Sequence, residues 1–308
     1  MSAHHASECR QRSIPAPHRG HVSIRRIEQN KNTESMGRPV DVQDVVASPG
    51  PNPGPNPGRS VGVPVQERLS CRYIRPMCGR FTRQYTWEQL HALYRLTVPA
   101  AIPNFQPDYN VCPTDPADVV VPNEGARDLA RMRWGLVPYW WSKPLKELRL
   151  ATFNARVETV TTKPFFREPF KKKRCLMPVS GYYEWQDTPS GKQPHYFTAR
   201  DGSPLLTIAG LWDEWKNRET GERIKSCAMI ITEPNEFIAE VHDRMPVLLR
   251  PDQFDHWLSG KMTVEELQPP PNDYLQRWAV SKRVNSSKAD KDDATLIDQV
   301  QHSPRRRA

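Results

Sequence analysis

The sequence predicts an α+β fold: a single domain of mainly antiparallel β-sheet, barrel-like, with flanking helices. Three observations carry this expectation. Seven short β-rich runs follow one another between residues 117 and 232, each punctuated by Pro, Gly, Asp or Asn. Helical spacing comes before and after these runs, so no regular β-α alternation builds a parallel sheet. Neither GxGxxG nor GxxxxGKS/T occurs, which disfavours a doubly wound nucleotide-binding fold.

In chain order, residues 1–76 are expected to form a disordered leader. Of the 27 aromatic residues, 26 lie after residue 76, so the leader lacks the side chains that dominate core energetics. Its SPGPNPGPNPGRS stretch cannot bury enough surface to offset chain entropy. The leader contains Arg but also acidic residues and has no amphipathic period, which argues against a transit peptide. A wrongly assigned start codon is the plainer reading. A domain over 77–298 follows, long enough for a sizeable core, and then a basic flexible tail over 299–308.

Inside the domain, TWEQLHALYRL places Thr86 and Gln89 at capping-box spacing ahead of Leu90, Leu93, Tyr94 and Leu96, which predicts an amphipathic helix. Strands are expected at ADVVV (117–121), LARMRWGLV (129–137), RCLMPV (174–179), GYYEWQ (181–186), HYFTA (195–199), LLTIAGLW (205–212) and SCAMIIT (226–232). TPSGKQ (188–193) reads as a hairpin loop between two of them. DQFDHWLSG (252–260) predicts a helix ending at Gly260, TVEELQ (263–268) offers a second capping box, and LQRWAVSK (275–282) reads as a last strand.

Charge and cysteines narrow the function classes. The leader carries 11 Lys+Arg against 6 Asp+Glu and the remainder 33 against 29, so the domain is only mildly basic and any nucleic-acid surface must be local. The six cysteines show no CxxC spacing, and no His sits at ligand spacing from one, so no metal and no cofactor are expected. No apolar secretory segment and no run of about eighteen apolar residues occurs, which predicts a cytoplasmic protein with reduced thiols and no membrane partner. A monomer is the default expectation.

Several polar residues stand in apolar strand contexts. ATFNARVET places Asn154, Arg156 and Glu158 two apart, on one face of any strand. Glu184 lies between Tyr183 and Trp185, where desolvation would raise a carboxyl pKa towards the range of proton transfer. His242 lies in the compact cluster EVHDRMPV, and Tyr139, Trp140 and Trp141 sit in a Pro-bounded loop where they are costly to expose unless they stack on something. Each also has a plain structural reading: Glu184 pairing with Arg156 or Arg174, His242 bridging loops, and the tryptophans filling the core. KKKR at 171–174 reads first as a solvated face.

Together these residues belong to seven ordered motifs: MCGRFT (77–82), YNVCPT (109–114), RWGLVPYWW (133–141), FNARVET (153–159), RCLMPVSGYYEW (174–185), VHDRMPV (241–247) and VSKRVN (280–285). In order and spacing they resemble the SRAP family (SOS response-associated peptidase) over nearly all of 77–298. The resemblance implies that Cys78 becomes the N-terminal residue and reacts with the aldehyde of abasic sites in single-stranded DNA, bare or at strand–duplex junctions, to form a thiazolidine crosslink. It implies that Glu184 is the acid/base, that His242 assists ring opening and reversal, and that Asn154 orients the reacting residue or sugar. It further implies that Arg80, Arg156 and Arg244 hold phosphates, that Trp140 and Trp141 wedge or stack at bases, and that Thr232 contacts the backbone.

The departure from the family is the stretch before Met77. Translation starting at Met77, self-cleavage before Cys78, or a retained leader that abolishes crosslinking would each account for it. A thiol peptidase using Cys78 and His242, and a non-covalent reader of modified cytosine, are the competing functions.

Overall fold

The computed structural model describes residues 78–300. The leader expected over 1–76 lies outside the described residues, as does the expected tail from residue 301 on.

Twelve strands are described: β1 Arg80–Arg83, β2 Asp108–Val111, β3 Pro116–Asn123, β4 Ala126–Trp134, β5 Asn154–Arg156, β6 Arg174–Val179, β7 Gly181–Thr188, β8 Gly191–Ala199, β9 Leu206–Lys216, β10 Arg223–Thr232, β11 Met245–Pro246 and β12 Leu275–Ala279. Four α-helices accompany them: α1 Trp87–Tyr94, α2 Arg167–Lys172, α3 Glu236–Ala239 and α4 Phe254–Leu258. One sheet, in the order β12-β8-β7-β1-β2, is antiparallel throughout. The other runs β11-β10-β4-β3-β6-β9, and β9 pairs back onto β10, so five of its strands close into a barrel. The fold is thus the expected α+β domain, with two parallel pairings, β10 with β4 and β10 with β5, inside an otherwise antiparallel scheme.

The two-residue repeat of the barrel strands divides the core. Val119, Cys175, Met177, Ile208, Cys227, Met229 and Ile231 share one cluster with Phe81, Val111, Tyr182 and Phe197 of the first sheet. The alternate residues, among them Val120, Leu176, Ala209, Ala228 and Ile230, pack instead with Leu90 and Tyr94 of α1 and Phe254 and Trp257 of α4. With both faces covered, these strands read as continuous apolar runs.

α1 begins where the capping box places it. Thr86 Oγ1 accepts from the Gln89 N–H at 3.3 Å, and Gln89 Oε1 accepts from the Thr86 N–H at 2.9 Å. Three sequence expectations are corrected. β4 ends at Trp134, because Gly135 (φ +138°) turns the chain out of the ladder. The chain leaves β5 after Arg156 for a 3-10 turn at Val157–Thr159, so Glu158 does not share a strand face with Asn154 and Arg156. TVEELQ forms no helix; half of its box survives, with Glu266 Oε2 accepting from the Thr263 N–H at 2.7 Å. Order continues to the last described residue: Gln299 bridges Val280, and the Val300 N–H donates to Ala279 O at 2.9 Å. Among the described residues no helix is long and apolar enough to cross a membrane.

Candidate active site

Cys78 leads into β1. It is buried, and its φ of +35° lies where an L residue seldom goes. Such backbone strain tends to be held at functional positions. β1 pairs with β7 so that Arg80 faces Tyr183 and Phe81 faces Tyr182, and continuing that register brings the Cys78–Gly79 end beside Glu184. Along β7, Tyr183 points to an outer cluster with Tyr196, Val280 and Val284, while Tyr182 joins the inner core. Glu184, two residues beyond Tyr182, therefore also faces inward, and it is 0% exposed.

A carboxylate in that position is poorly solvated. Burial pushes Glu184 up to about 8, against a smaller downward pull from the neighbouring Cys78 thiol and backbone N–H, neither of which closes a hydrogen bond to its oxygens. Burial, then the nearby Glu184 charge, raises the Cys78 thiol well above its usual range, with Arg244 opposing. At neutral pH the site thus holds a largely protonated carboxyl beside the cysteine at the start of β1.

His242 arrives on the loop after α3. Asn235 Oδ1 caps that helix by accepting from the Ile238 N–H at 3.0 Å, and Ile238 O accepts from the Val241 and His242 N–H groups at 2.8 and 2.9 Å. The imidazole Nδ1 lies 3.8 Å from Glu184 Oε2 and 3.3 Å from Asp243 Oδ1. It lies 3.1 Å from the Arg244 N–H and 3.4 Å from Arg244 O. Asn154, held on β5 opposite Met229, donates from Nδ2 to Cys78 O at 3.4 Å.

The structure therefore brings Cys78, Asn154, Glu184 and His242 together from four separate parts of the chain. Clefts meet the cluster at two points. One of about 510 Å³ is lined by Gly79, Arg80, Phe153, Trp185, Lys192 and Asn285, and another of about 540 Å³ by His242, Asp243 and Arg244. A cavity of about 620 Å³ against α1 and α4 holds none of the sequence-predicted residues.

The residues expected to touch DNA fall into three groups. Arg156 is exposed at the end of β5, and Arg244 pairs with Glu158 near His242. Thr232, almost buried, faces Met245 where β10 meets β11. Arg80 is already engaged: it donates to Asn110 Oδ1 at 2.8 Å and to the carbonyls of Val284, Asn285 and Ser286. Trp140 and Trp141 form a separate aromatic group around Phe165, with centroids 5.3 and 6.2 Å from it, and Trp140 is 38% exposed. Arg174 does not pair with Glu184. It lies between the rings of Phe170 and Trp257, at 4.2 and 4.3 Å, and donates to Phe170 O and Met262 O. The sequence reading passed over Tyr182, although its place two residues before Glu184 in GYYEW puts both on one face of the strand.

The site thus gathers a buried cysteine, a carboxyl, an imidazole and an amide where one sheet meets a closed barrel. Residues 77–287 match the family model described as SOS response associated peptidase (SRAP), and the chain belongs to that family. The abasic site processing protein YoaM of Bacillus subtilis is 34% identical over 232 residues, covering 73% of this chain and 100% of its own length. The abasic site processing protein HMCES of Xenopus tropicalis is 34% identical over 175 residues, covering 48% of this chain and 52% of its own. A crystal structure of a Bordetella bronchiseptica protein superposes with a TM-score of 0.58 at 28% identity, covering 66% of this chain and all of that one.

Proposed function

We propose that the protein forms a covalent thiazolidine crosslink with abasic sites in single-stranded DNA through Cys78 as its N-terminal residue, shielding those sites in the DNA damage response. The observation that carries the proposal is the burial of Glu184 beside the Cys78–Gly79 end of β1, with His242 Nδ1 3.8 Å from its carboxyl and the Asn154 amide donating to Cys78 O. The nitrogen and the sulfur of Cys78 are the two nucleophiles of a 1,2-aminothiol once no residue precedes it. A free α-amine has a pKa of about 7.7–8.0 and is partly unprotonated near neutrality, whereas an amide nitrogen is not nucleophilic. Burial disfavours both ammonium and carboxylate, so the neutral amine facing a carboxylic acid is the reactive form.

The steps balance through Glu184. Its acid form protonates the deoxyribose ring oxygen as the C1′–O4′ bond breaks, while His242 takes the proton of the C1′ hydroxyl, leaving the aldehyde, and passes it to the Glu184 carboxylate. The Cys78 amine adds to the C1′ aldehyde to give a carbinolamine. Glu184 protonates the hydroxyl, water leaves, and an iminium and a carboxylate remain. The thiol then passes its proton to that carboxylate while sulfur attacks C1′. The nitrogen receives the C=N electron pair, the five-membered ring closes, and Glu184 is again an acid. Asn154 holds Cys78 O throughout, and Arg156, Arg244 and Thr232 would meet the flanking phosphates, with Trp140 and Trp141 available to bases further along.

A second reading, cleavage of the bond before Cys78 by the same site, is favoured by the same placement: Glu184 is buried beside the end of β1 where the leaving amine would form. One panel tests both. Chains beginning at Cys78, chains retaining Met77, and Cys78→Ala chains are incubated with an abasic single strand and separated under denaturing conditions. The first are expected to crosslink, the second only as fast as mass spectrometry records loss of Met77, and the third not at all. A denaturation-stable adduct in Cys78→Ala would overturn the proposal.

A further inference from the structure

His242 stands on a loop that follows a helix of only four residues, too short to hold a side chain in place by itself. The turn before it is tethered from two strands. Gln186 of β7 donates from Nε2 to Glu240 O at 2.9 Å. Arg277 of β12 donates to Phe237 O, pairs with the Glu240 carboxylate and lies over the Phe237 ring at 4.5 Å. The Gln186 amide is steadied at its other end, where Oε1 lies 3.3 Å from His195 Nε2 across the β7–β8 ladder.

The two tethers differ in where they start. Gln186 comes two residues after Glu184 on β7, so both side chains leave one face of one strand. Glu240 comes two residues before His242. The strand that carries the acid therefore also carries the group that holds the loop bearing its partner. That link matters because His242 Nδ1 lies 3.8 Å from Glu184 Oε2, too far for a hydrogen bond between them to set the distance. Downstream the loop is anchored where Met245 pairs with Thr232 of β10, so of its anchors only Gln186 and Glu184 share a strand.

We propose that Gln186 is a positioning residue for sugar-ring opening: by holding Glu240 O it keeps His242 where that residue takes the proton of the C1′ hydroxyl and passes it to Glu184. The inference rests on the thiazolidine reading above. Addition of the amine and closure by the thiol begin from the open aldehyde and use Glu184 without His242, so they should not depend on Gln186. Arg277 keeps its hold on Phe237 and Glu240 when the amide is gone, so the loop loses its alignment to β7 and not its fold.

The test compares the parent chain beginning at Cys78 with Gln186→Ala, Gln186→Met, His242→Ala and the double variant Gln186→Ala/His242→Ala. Each is mixed with two single strands, one carrying an ordinary abasic site and one carrying in its place an acyclic aldehyde, which has no ring to open. Adducts are separated under denaturing conditions over time. On the ordinary abasic site Gln186→Ala should form adduct about tenfold more slowly, as expected when a catalytic group is displaced by part of an ångström. Gln186→Met, of the same length but without the N–H, should be as slow. On the acyclic aldehyde both should match the parent, which also shows that they fold. In the His242→Ala background, loss of Gln186 should cost nothing further. Parental rates on the ordinary abasic site would overturn the inference, as would equal slowing on both substrates or an added loss in the His242→Ala background. If the parent chain forms an adduct with neither aldehyde, the thiazolidine reading fails and the inference with it.

Discussion

Glu184 keeps an acid where water does not reach it, and the cost of doing so depends on pH. Its folded pKa of about 8 stands above the value of about 4.3 for an unfolded glutamate. Below both values the group is protonated in either state and contributes nothing to pH dependence. As pH rises from about 4.3 towards 8, the unfolded chain ionises while the folded chain holds its proton, so stability falls, and it levels off above the folded pKa. Glu184→Gln removes this term. Measured on the chain retaining Met77, where no α-ammonium complicates the site, the variant should gain about 1 kcal/mol at pH 5 and about 5 kcal/mol at pH 9. Thermal melts at both values check it; a gain that does not grow with pH would mean that Glu184 ionises normally. The sequence did disclose this residue, because aromatic neighbours on a strand announce desolvation. It could not disclose the company, since Cys78, Asn154 and His242 reach Glu184 only through strand pairing and a capped loop.

Among the elements, β7 carries the site, and Gly181 explains how it starts. A Cβ at that position would lie 2.3 Å from Tyr196 Oη and 2.6 Å from the backbone oxygen of Phe197. Neither side can yield cheaply, since one is main chain and the other is hydrogen-bonded at 2.8 Å to Thr82 Oγ1. Gly181→Ala should therefore destabilise the domain by about 1–3 kcal/mol, read from the urea midpoint at unchanged slope. An unshifted midpoint would mean that the hairpin relaxes freely. The strands of this hairpin were legible because β-branched and aromatic runs were bounded by Gly and Pro. Shorter elements were not: β1, β2 and β5 have only four, four and three residues, too few for a period to register. The failed helix at TVEELQ shows the converse, a cap signal with no apolar face behind it to bury.

Across the whole molecule, the closing segment after β12 returns over the strand that begins at the site. The Tyr109 N–H donates to Lys291 O at 2.8 Å, Lys291 pairs with Asp115 at 2.5 Å, and Arg283 pairs with Asp293 at 2.6 Å. Arg80 fastens the near end by donating to three consecutive carbonyls, and Asn285 accepts from Trp185 Nε1 at 2.7 Å where both line the cleft beside Gly79. The family resemblance gave Arg80 to a phosphate; its carbonyl partners, some 204–206 residues away, were not legible from the sequence. Arg80→Ala should speed amide hydrogen exchange over 282–297 while leaving the barrel strands protected. Unchanged exchange there would mean that the Arg80 contacts do not hold this segment.

The central claim is that Cys78 acts with both its nitrogen and its sulfur. The most direct measurement is the intact mass of the protein isolated from its own host after incubation with a single strand carrying one abasic site. The account predicts a species with the mass of the chain beginning at Cys78 plus the oligonucleotide, less one water, that withstands borohydride unreduced. A chain that keeps the residues before Cys78 and forms no adduct, or an adduct that survives Cys78→Ala, would contradict it.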